Sequence, residues 1–152
     1  MDTYCENGRI FIRDDRDEGS FGSHVVWDAE ALFLLPEGLK SEFAGPLMCG
    51  GATVWSALSV YNVRPGDRVG VVGIGGLGHL AIQFAAKMGC EVVVFSSTES
   101  KREEAIQFGA KEFHATKGVT EFKNIKKLNH LLITTSEQPN FELYSRHCGP
   151  FL

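Results

Sequence analysis

The 152-residue sequence predicts an α/β fold with a doubly wound parallel sheet, and three features indicate it. Short hydrophobic segments typical of buried strands alternate with segments whose apolar residues recur at helical spacing. A glycine-rich turn, GIGGLG, joins the clearest strand to the clearest helix. Glycines also follow both predicted helices of this region, at Gly89 and Gly109, where helix C-terminal caps are expected. Strands that alternate with helices are typical of parallel sheets.

The N-terminal part of the chain predicts less regular structure than the rest. The first 20 residues are polar and indicate loop or a short hairpin. Residues 23–35 contain HVVW and ALFLL and are predicted to be strand-like, with the turn signal Pro-Glu-Gly directly after them. Residues 42–61 are predicted to form a helix whose small residues permit close packing.

From residue 68 onward the order of elements is clearer. Strands are predicted at residues 68–72, 91–95, 112–115 and 130–134. The helix after the second strand is predicted to begin at a capping box formed by Ser100 and Glu103. A helix between the third and fourth strands is only weakly indicated, and the last four residues resemble the opening of a fifth strand. The expected strand order is 3-2-1-4-5-6.

Composition and charge argue against several classes of function. The net charge is −4 and the 15 lysines and arginines are scattered, so we expect no nucleic-acid partner. The four cysteines form no CxxC pair and the N-terminus is too polar for a signal peptide, which predicts a reducing, cytoplasmic location. Residues 69–86 carry no charged side chain, yet their glycines, His79 and Gln83 favour a strand, a turn and a helix over a membrane span.

The glycine-rich turn matches the G-x-G-x-x-G fingerprint of dinucleotide-binding Rossmann folds at Gly73, Gly75 and Gly78. These glycines allow a tight turn, close approach of the backbone to a pyrophosphate, and close packing of helix on strand. The beginning of the following helix presents free N–H groups to the phosphates. Because a hydrophobic strand precedes the turn and a helix and second strand follow it, dinucleotide binding is favoured over a purely structural glycine turn.

The end of the second strand predicts which dinucleotide binds. Small hydroxyl side chains follow this strand: Ser96, Ser97 and Thr98. They stand next to the cations Lys101 and Arg102, and hydroxyls beside cations suit a 2′-phosphate. The competing feature is Glu99, because an acid near this position would hold the ribose hydroxyls of NAD. The alternative for the two cations is a solvated helix surface. NADP is therefore favoured over NAD.

Three segments of the chain resemble one enzyme family. They are PLMCGGATVWSAL at 46–58, GVVGIGGLGHLAIQFAA at 70–86 and SSTESKREEA at 96–105. In sequence and spacing they are similar to the cinnamyl-alcohol-dehydrogenase branch of the zinc-dependent medium-chain alcohol dehydrogenases. The resemblance implies reduction of small aldehydes to alcohols by NADPH, with a zinc ion polarising the carbonyl. It also implies that residues 1–40 are the remnant of a GroES-like catalytic domain and that residues 41–152 are the Rossmann domain.

The resemblance assigns expected roles to individual residues. Cys49 corresponds to a cysteine ligand of the catalytic zinc, Cys5 to a ligand of the structural zinc, and Thr53 to a threonine near the nicotinamide. Other residues match the family's cofactor contacts: Gly75, Gly76 and Leu77 at the pyrophosphate, Ser96, Ser97 and Lys101 at the 2′-phosphate, and Thr134 beside the cofactor.

The chain also departs from the family's pattern. The family's remaining zinc ligands belong to a region before Met1, so we expect a truncated chain, with zinc doubtful and activity absent from the chain alone. We expect the sheet to be incomplete at its C-terminal edge, which leaves a homodimer uncertain, since the family pairs its sixth strand across the dimer. Two alternatives stay open: a non-catalytic NADP(H)-binding module, and a zinc-free quinone reductase-like enzyme. Cys49 argues against the second, which needs no thiolate there.

Overall fold

The computed structural model describes residues 6–8, 13–14 and 21–149. The chain divides into two compact units, Met1–Ser41 and Glu42–Leu152. Cys5 and the last three residues, which include most of the expected opening of a fifth strand, lie outside the described residues. That the first unit is the remnant of a GroES-like domain stays a prediction.

The strand-like prediction for residues 23–35 is wrong. Most of this segment is irregular, and its single regular element is a 3₁₀ turn at Ala29–Ala31, where the Asp28 carboxylate accepts a hydrogen bond from the Glu30 N–H at 2.9 Å. The apolar side chains of Val26 and Phe33 are fully exposed. A strand needs a neighbour for its backbone hydrogen bonds, and no described residue pairs with this segment. Local hydrophobicity alone therefore does not make a strand here.

The helix predicted at 42–61 is present as three consecutive parts. They are α1 (Ser41–Pro46), a π-helical segment (Leu47–Gly51) and α2 (Ala52–Val60). Val54 and Leu58 are buried on one face, and this face packs against the helix that follows the glycine-rich turn. A Cβ atom at Gly50 would lie only 3.3 Å from Leu80, so the small residues do permit close packing.

The same segment is long and apolar enough to cross a membrane, judged by length and composition only. Within its 20 residues, Ser41–Val60, an 18-residue window has a mean hydropathy of 1.3, and 22% of that window is buried. Such a result is weak evidence, because core helices of soluble proteins pass the same test. The burial of Val54 and Leu58 gives the segment a packing role within its own unit. The absence of a membrane partner stays a prediction.

The four predicted strands form one parallel sheet. They are β1 (Arg68–Val72), β2 (Glu91–Ser96), β3 (Glu112–Ala115) and β4 (His130–Ile133), in the order β3-β2-β1-β4. This order agrees with the first four positions of the predicted 3-2-1-4-5-6 arrangement. All five residues of β1 are buried, as expected for the central strand of a sheet covered on both faces. The Rossmann-like α/β fold is confirmed.

Helices α3 (Gly76–Lys87) and α4 (Arg102–Gln107) follow β1 and β2. The predicted capping box at the start of α4 is wrong. Ser100 lies inside a 3₁₀ turn, Glu99–Lys101, and its hydroxyl is 2.8 Å from the Thr98 hydroxyl. The turn moves Ser100 away from the cap position, which Lys101 occupies without a side-chain cap.

One hydrophobic core cluster packs α2, α3 and α4 against one face of the sheet, and a second cluster lies on the opposite face. Phe95 of β2 contacts Phe122 and Tyr144 with ring centroids 5.1 and 5.3 Å apart. The weakly indicated helix between β3 and β4 is absent, since residues 116–129 are irregular. Their buried residues, Phe122, Ile125 and Leu128, recur every third position and hold this connection against the sheet. A short helix, α5 (Phe141–Ser145), follows β4, and Cys148 then makes a parallel bridge to Leu128.

Candidate functional site

A cleft of about 610 Å³ opens at the carboxyl ends of the strands. Its walls are the turn after β1, the end of β2 with the turn that follows, and the segments after β3 and β4. Of the residues predicted to bind the cofactor, seven line it: Gly73, Gly75, Ser96, Ser97, Thr98, Lys101 and Thr134. In open α/β sheets, ligands bind in such a crevice, at the point where the strand order reverses.

Two glycines of the fingerprint are required by the packing of the turn. Gly73 has φ +93°, in the left-handed region that favours glycine, and its N–H donates to the Phe95 carbonyl at 2.8 Å. A Cβ atom at Gly78 would lie 2.1 Å from the Gly73 carbonyl oxygen. Gly78 is therefore the point at which α3 packs directly on the turn.

Packing does not require the two glycines in the middle of the fingerprint, Gly75 and Gly76. Cβ atoms at Gly75 or Gly76 would meet no protein atom within 4 Å. Within the described part of the chain, the N–H groups of Ile74 and Gly75 donate to no backbone carbonyl. The turn therefore leaves open space beside free donors at the start of a 12-residue helix, which is where a phosphate anion is stabilised.

Two side chains from elsewhere hold the carbonyl groups of this turn. The Thr134 hydroxyl, just after β4, is 2.8 Å from the Val72 carbonyl oxygen and 3.2 Å from that of Gly73. The Lys101 ammonium donates to the Ile74 carbonyl at 2.8 Å. The two contacts come from opposite sides, since β2 and β4 flank β1 in the sheet.

After β2, the structure places Lys101 apart from Glu99 and Arg102, the charged residues whose roles the sequence left open. Lys101 lines the cleft, whereas Glu99 and Arg102 do not. They pair with each other at 2.6 and 3.0 Å, and the hydrogen bond from Arg102 lowers the pKa of the Glu99 carboxyl. Arg102 also lies 4.8 Å from the centre of the Phe113 ring. Arg102 is therefore engaged on the surface outside the cleft.

The far wall of the cleft was missed by sequence reasoning. It is formed by the segments after β3 and β4 and by α5, with these residues: Thr116, Val119, Thr135, Ser136, Glu137, Gln138, Pro139, Asn140, Leu143 and Tyr144. The rule that ligands bind at the carboxyl ends of parallel strands could have indicated Thr116 and Thr135. No sequence signal indicated Tyr144, whose hydroxyl has a pKa raised by burial.

Similarity to known proteins adds to this geometry. Residues 76–150 match the zinc-binding dehydrogenase family. A probable formaldehyde dehydrogenase AdhA of Bacillus subtilis is 39% identical over 83% of this chain and 36% of the relative. A probable cinnamyl alcohol dehydrogenase 1 of Oryza sativa is 38% identical over 95% of this chain and 43% of the relative. The crystal structure of CAD from Helicobacter pylori, complexed with NADP(H), is 33% identical with a TM-score of 0.61, covering 68% of this chain and 29% of that one.

The chain belongs to the zinc-type medium-chain alcohol dehydrogenases. Its relatives lie in the cinnamyl-alcohol-dehydrogenase-like branch of that family, as the sequence predicted. The chain spans less than half the length of these curated relatives.

Of the two predicted metal ligands, Cys5 lies outside the described residues and Cys49 has no group of further ligands beside it among them. Cys49 lies in the π-helical segment, is exposed, and is absent from the cleft wall, as is Thr53. No group of three His, Cys, Asp or Glu residues suited to a metal ion occurs among residues 6–8, 13–14 and 21–149. Zinc does not fit the described residues, because a zinc site needs at least three protein ligands. No chemical step is therefore assigned to zinc here.

Proposed function

We propose that the cleft at the carboxyl ends of the strands binds NADP(H), as part of the family's alcohol and aldehyde oxidoreductase chemistry. One observation carries the choice of nucleotide: Lys101 lines the cleft, while the nearby acid Glu99 is held outside it by Arg102. The CAD of Helicobacter pylori, a structural relative, is complexed with NADP(H), which supports the same choice.

The turn and the start of α3 would hold the diphosphate. The open space at Gly75 and Gly76 lets the backbone approach it closely, and the free N–H groups of Ile74 and Gly75 donate to it. Such donors are already ordered by the sheet, so little conformational entropy is lost when the anion binds.

The end of β2 would hold the 2′-phosphate. Ser97 and Thr98 are exposed hydroxyls on the cleft wall, and the Lys101 ammonium has three donors. One donor holds the Ile74 carbonyl, so two remain for phosphate oxygens. A carboxylate here would instead repel the 2′-phosphate, but Glu99 is paired outside.

The bound nucleotide supplies a hydride, and the protein's part is to position it. Thr53 beside the nicotinamide and Cys49 as a zinc ligand stay predictions, as do homodimer assembly and a cytoplasmic location. The competing proposal, a nucleotide-binding module without catalysis, is favoured by the lack of a metal-ligand group among the described residues. NADPH oxidation by the chain in the presence of cinnamaldehyde would exclude the second proposal, since a non-catalytic module binds NADPH without oxidising it.

Binding is tested by calorimetric titration of the full chain with NADPH and with NADH. We expect NADPH to bind at least tenfold more tightly. The Lys101→Glu variant should lose about thirtyfold in NADPH affinity and much less in NADH affinity, because a charge-assisted hydrogen bond is replaced by repulsion of the 2′-phosphate.

The matched control is Lys126→Glu, the same charge reversal at an exposed lysine outside the cleft. It should leave both affinities unchanged. Equal affinities of the unaltered chain for NADPH and NADH would contradict the proposed 2′-phosphate site, and failure to bind either would contradict the proposed function as a whole.

A further inference from the structure

The Thr134 hydroxyl lies at a junction of three elements. Thr134 follows β4. Its hydroxyl donates to the carbonyl groups of Val72, at the end of β1, and Gly73, at the start of the glycine-rich turn. Its backbone N–H also donates to the Val72 carbonyl, at 3.0 Å. A Cβ atom at Gly78 of α3 would approach the hydroxyl oxygen to 2.9 Å. The hydroxyl therefore fills the space between strand, turn and helix.

This arrangement fixes the direction in which the turn presents its polar groups. Carbonyl groups of the turn that faced the cleft would repel an anion, whereas N–H groups attract it. The carbonyl groups of Val72 and Gly73 are hydrogen-bonded to Thr134, and that of Ile74 to Lys101. The N–H groups of Ile74 and Gly75 remain without backbone acceptors in the described part of the chain.

We infer that Thr134 is a positioning residue for the diphosphate rather than a direct cofactor contact. The inference rests on the proposed function of the cleft. It gives a more specific role to Thr134, which is expected to border the cofactor, because a hydroxyl has one hydrogen to donate and here that hydrogen is directed at the protein backbone. Thr134 acts on the nucleotide through the turn that it holds.

Loss of a residue that positions the turn and loss of a residue that contacts the 2′-phosphate should change the affinities for NADPH and NADH differently. The diphosphate is common to NADPH and NADH, so loss of the Thr134 hydroxyl should weaken both by the same factor. Lys101 differs, because the 2′-phosphate belongs to NADPH alone. Comparing the two nucleotides therefore distinguishes a residue that positions the turn from one that contacts the 2′-phosphate.

The test is calorimetric titration of the full-length Thr134→Val chain with NADPH and NADH. Valine keeps the shape of threonine and removes the hydroxyl. We expect both dissociation constants to rise about fivefold to tenfold, as for loss of one hydrogen bond that orders a binding loop. Thr134→Ser, which restores the hydroxyl, should bind both nucleotides within twofold of the unaltered chain.

Ser59→Ala is the matched control. It removes a hydroxyl that donates to the Trp55 carbonyl at the same 2.8 Å, in helix α2 and outside the cleft, and should change neither affinity. Thr134→Ala serves as a second deletion that adds no methyl group, should the valine variant fold poorly.

Unchanged affinities in folded deletion variants would overturn the inference while leaving the proposed function intact. So would a loss confined to NADPH, or a serine variant that binds as weakly as the valine variant. If the unaltered chain binds neither nucleotide, the proposed function fails and the inference falls with it.

Discussion

Gly78→Ala is expected to lower the free energy of unfolding by about 3 kcal/mol and to abolish measurable nucleotide binding. The new methyl group would lie 2.1 Å from the Gly73 carbonyl oxygen and 2.8 Å from the Gly73 carbonyl carbon. Both are backbone atoms, so no side-chain rotation can relieve the overlap. Alanine's higher helix propensity offsets only about 1 kcal/mol of this cost.

The structural consequence is that α3 must move away from the turn. The start of α3 then no longer faces the position at which the turn presents its N–H groups. Urea unfolding measures the stability change, and calorimetric titration with NADPH measures the loss of binding. Gly76→Ala is the control for stability, because its methyl group meets no atom within 4 Å. A Gly78→Ala chain as stable as the Gly76→Ala chain would contradict the packing described here.

Arg68→Ala is expected to lower the free energy of unfolding by about 3 kcal/mol at neutral pH. Arg68 is the first residue of β1 and lies at the opposite end of the sheet from the cleft. Arg68 is 5% exposed, and its guanidinium pairs with Glu91 of β2 and, at 2.7 Å, with Glu112 of β3. One buried side chain on β1 thus joins the amino ends of three neighbouring strands. The backbone N–H of Arg68 also donates to the Asn129 side chain at 2.8 Å, and the alanine variant keeps this hydrogen bond.

Most of that cost comes from the packing of the buried side chain and its hydrogen bond to Glu91 rather than from charge. The Glu91 and Glu112 side chains are 44% and 35% exposed, so water screens their attraction to Arg68 and can hydrate them once it is removed. Arg146→Ala is the matched control, since its pair with Glu121 spans 4.0 Å and both side chains are exposed. It should leave the urea midpoint almost unchanged. Equal losses of stability in Arg68→Ala and Arg146→Ala would contradict the stabilising role given to the buried Arg68 side chain.

The ion pair between Arg68 and Glu112 also predicts how stability depends on pH. The Arg68 guanidinium, 2.7 Å from the Glu112 carboxylate, lowers the pKa of that carboxyl below its ordinary value of about 4.5, and His114 contributes in the same direction. A carboxyl whose pKa is lowered by folding stabilises the native state above 4.5, and this contribution is lost as the pH falls through the lower, folded value. The unaltered chain should therefore lose stability below about pH 4.5 more steeply than Glu112→Gln. Parallel curves for the two chains would contradict the assignment.

Several features could be predicted from the sequence because they depend on local pattern. Residues 69–72 and 92–95 of the first two strands are uninterrupted apolar segments, as is typical of buried parallel strands. The glycine-rich turn could be recognised because Gly73 and Gly78 tolerate no side chain, so the sequence records the backbone constraint directly. Family membership followed from the same segments.

The tertiary structure decided the features that depend on partners distant in sequence. Residues 23–35 have strand-like composition, yet a strand forms only where another strand accepts its hydrogen bonds. In the sequence, Lys101 and Arg102 are adjacent cations, and both are candidates to bind the 2′-phosphate. Only the fold directs Lys101 to the turn 27 residues earlier and Arg102 to Glu99 on the surface.

The same distinction separates the two halves of the cleft. Its near wall is the turn itself, whose glycines can be recognised in the sequence. Its far wall comes from residues more than 40 positions later, and the hydrogen bond from Thr134 to Gly73 spans 61 positions. Backbone conformation is restricted residue by residue and so leaves a local mark in the sequence. A hydrogen bond between distant residues is fixed only when the sheet brings β1 and β4 side by side.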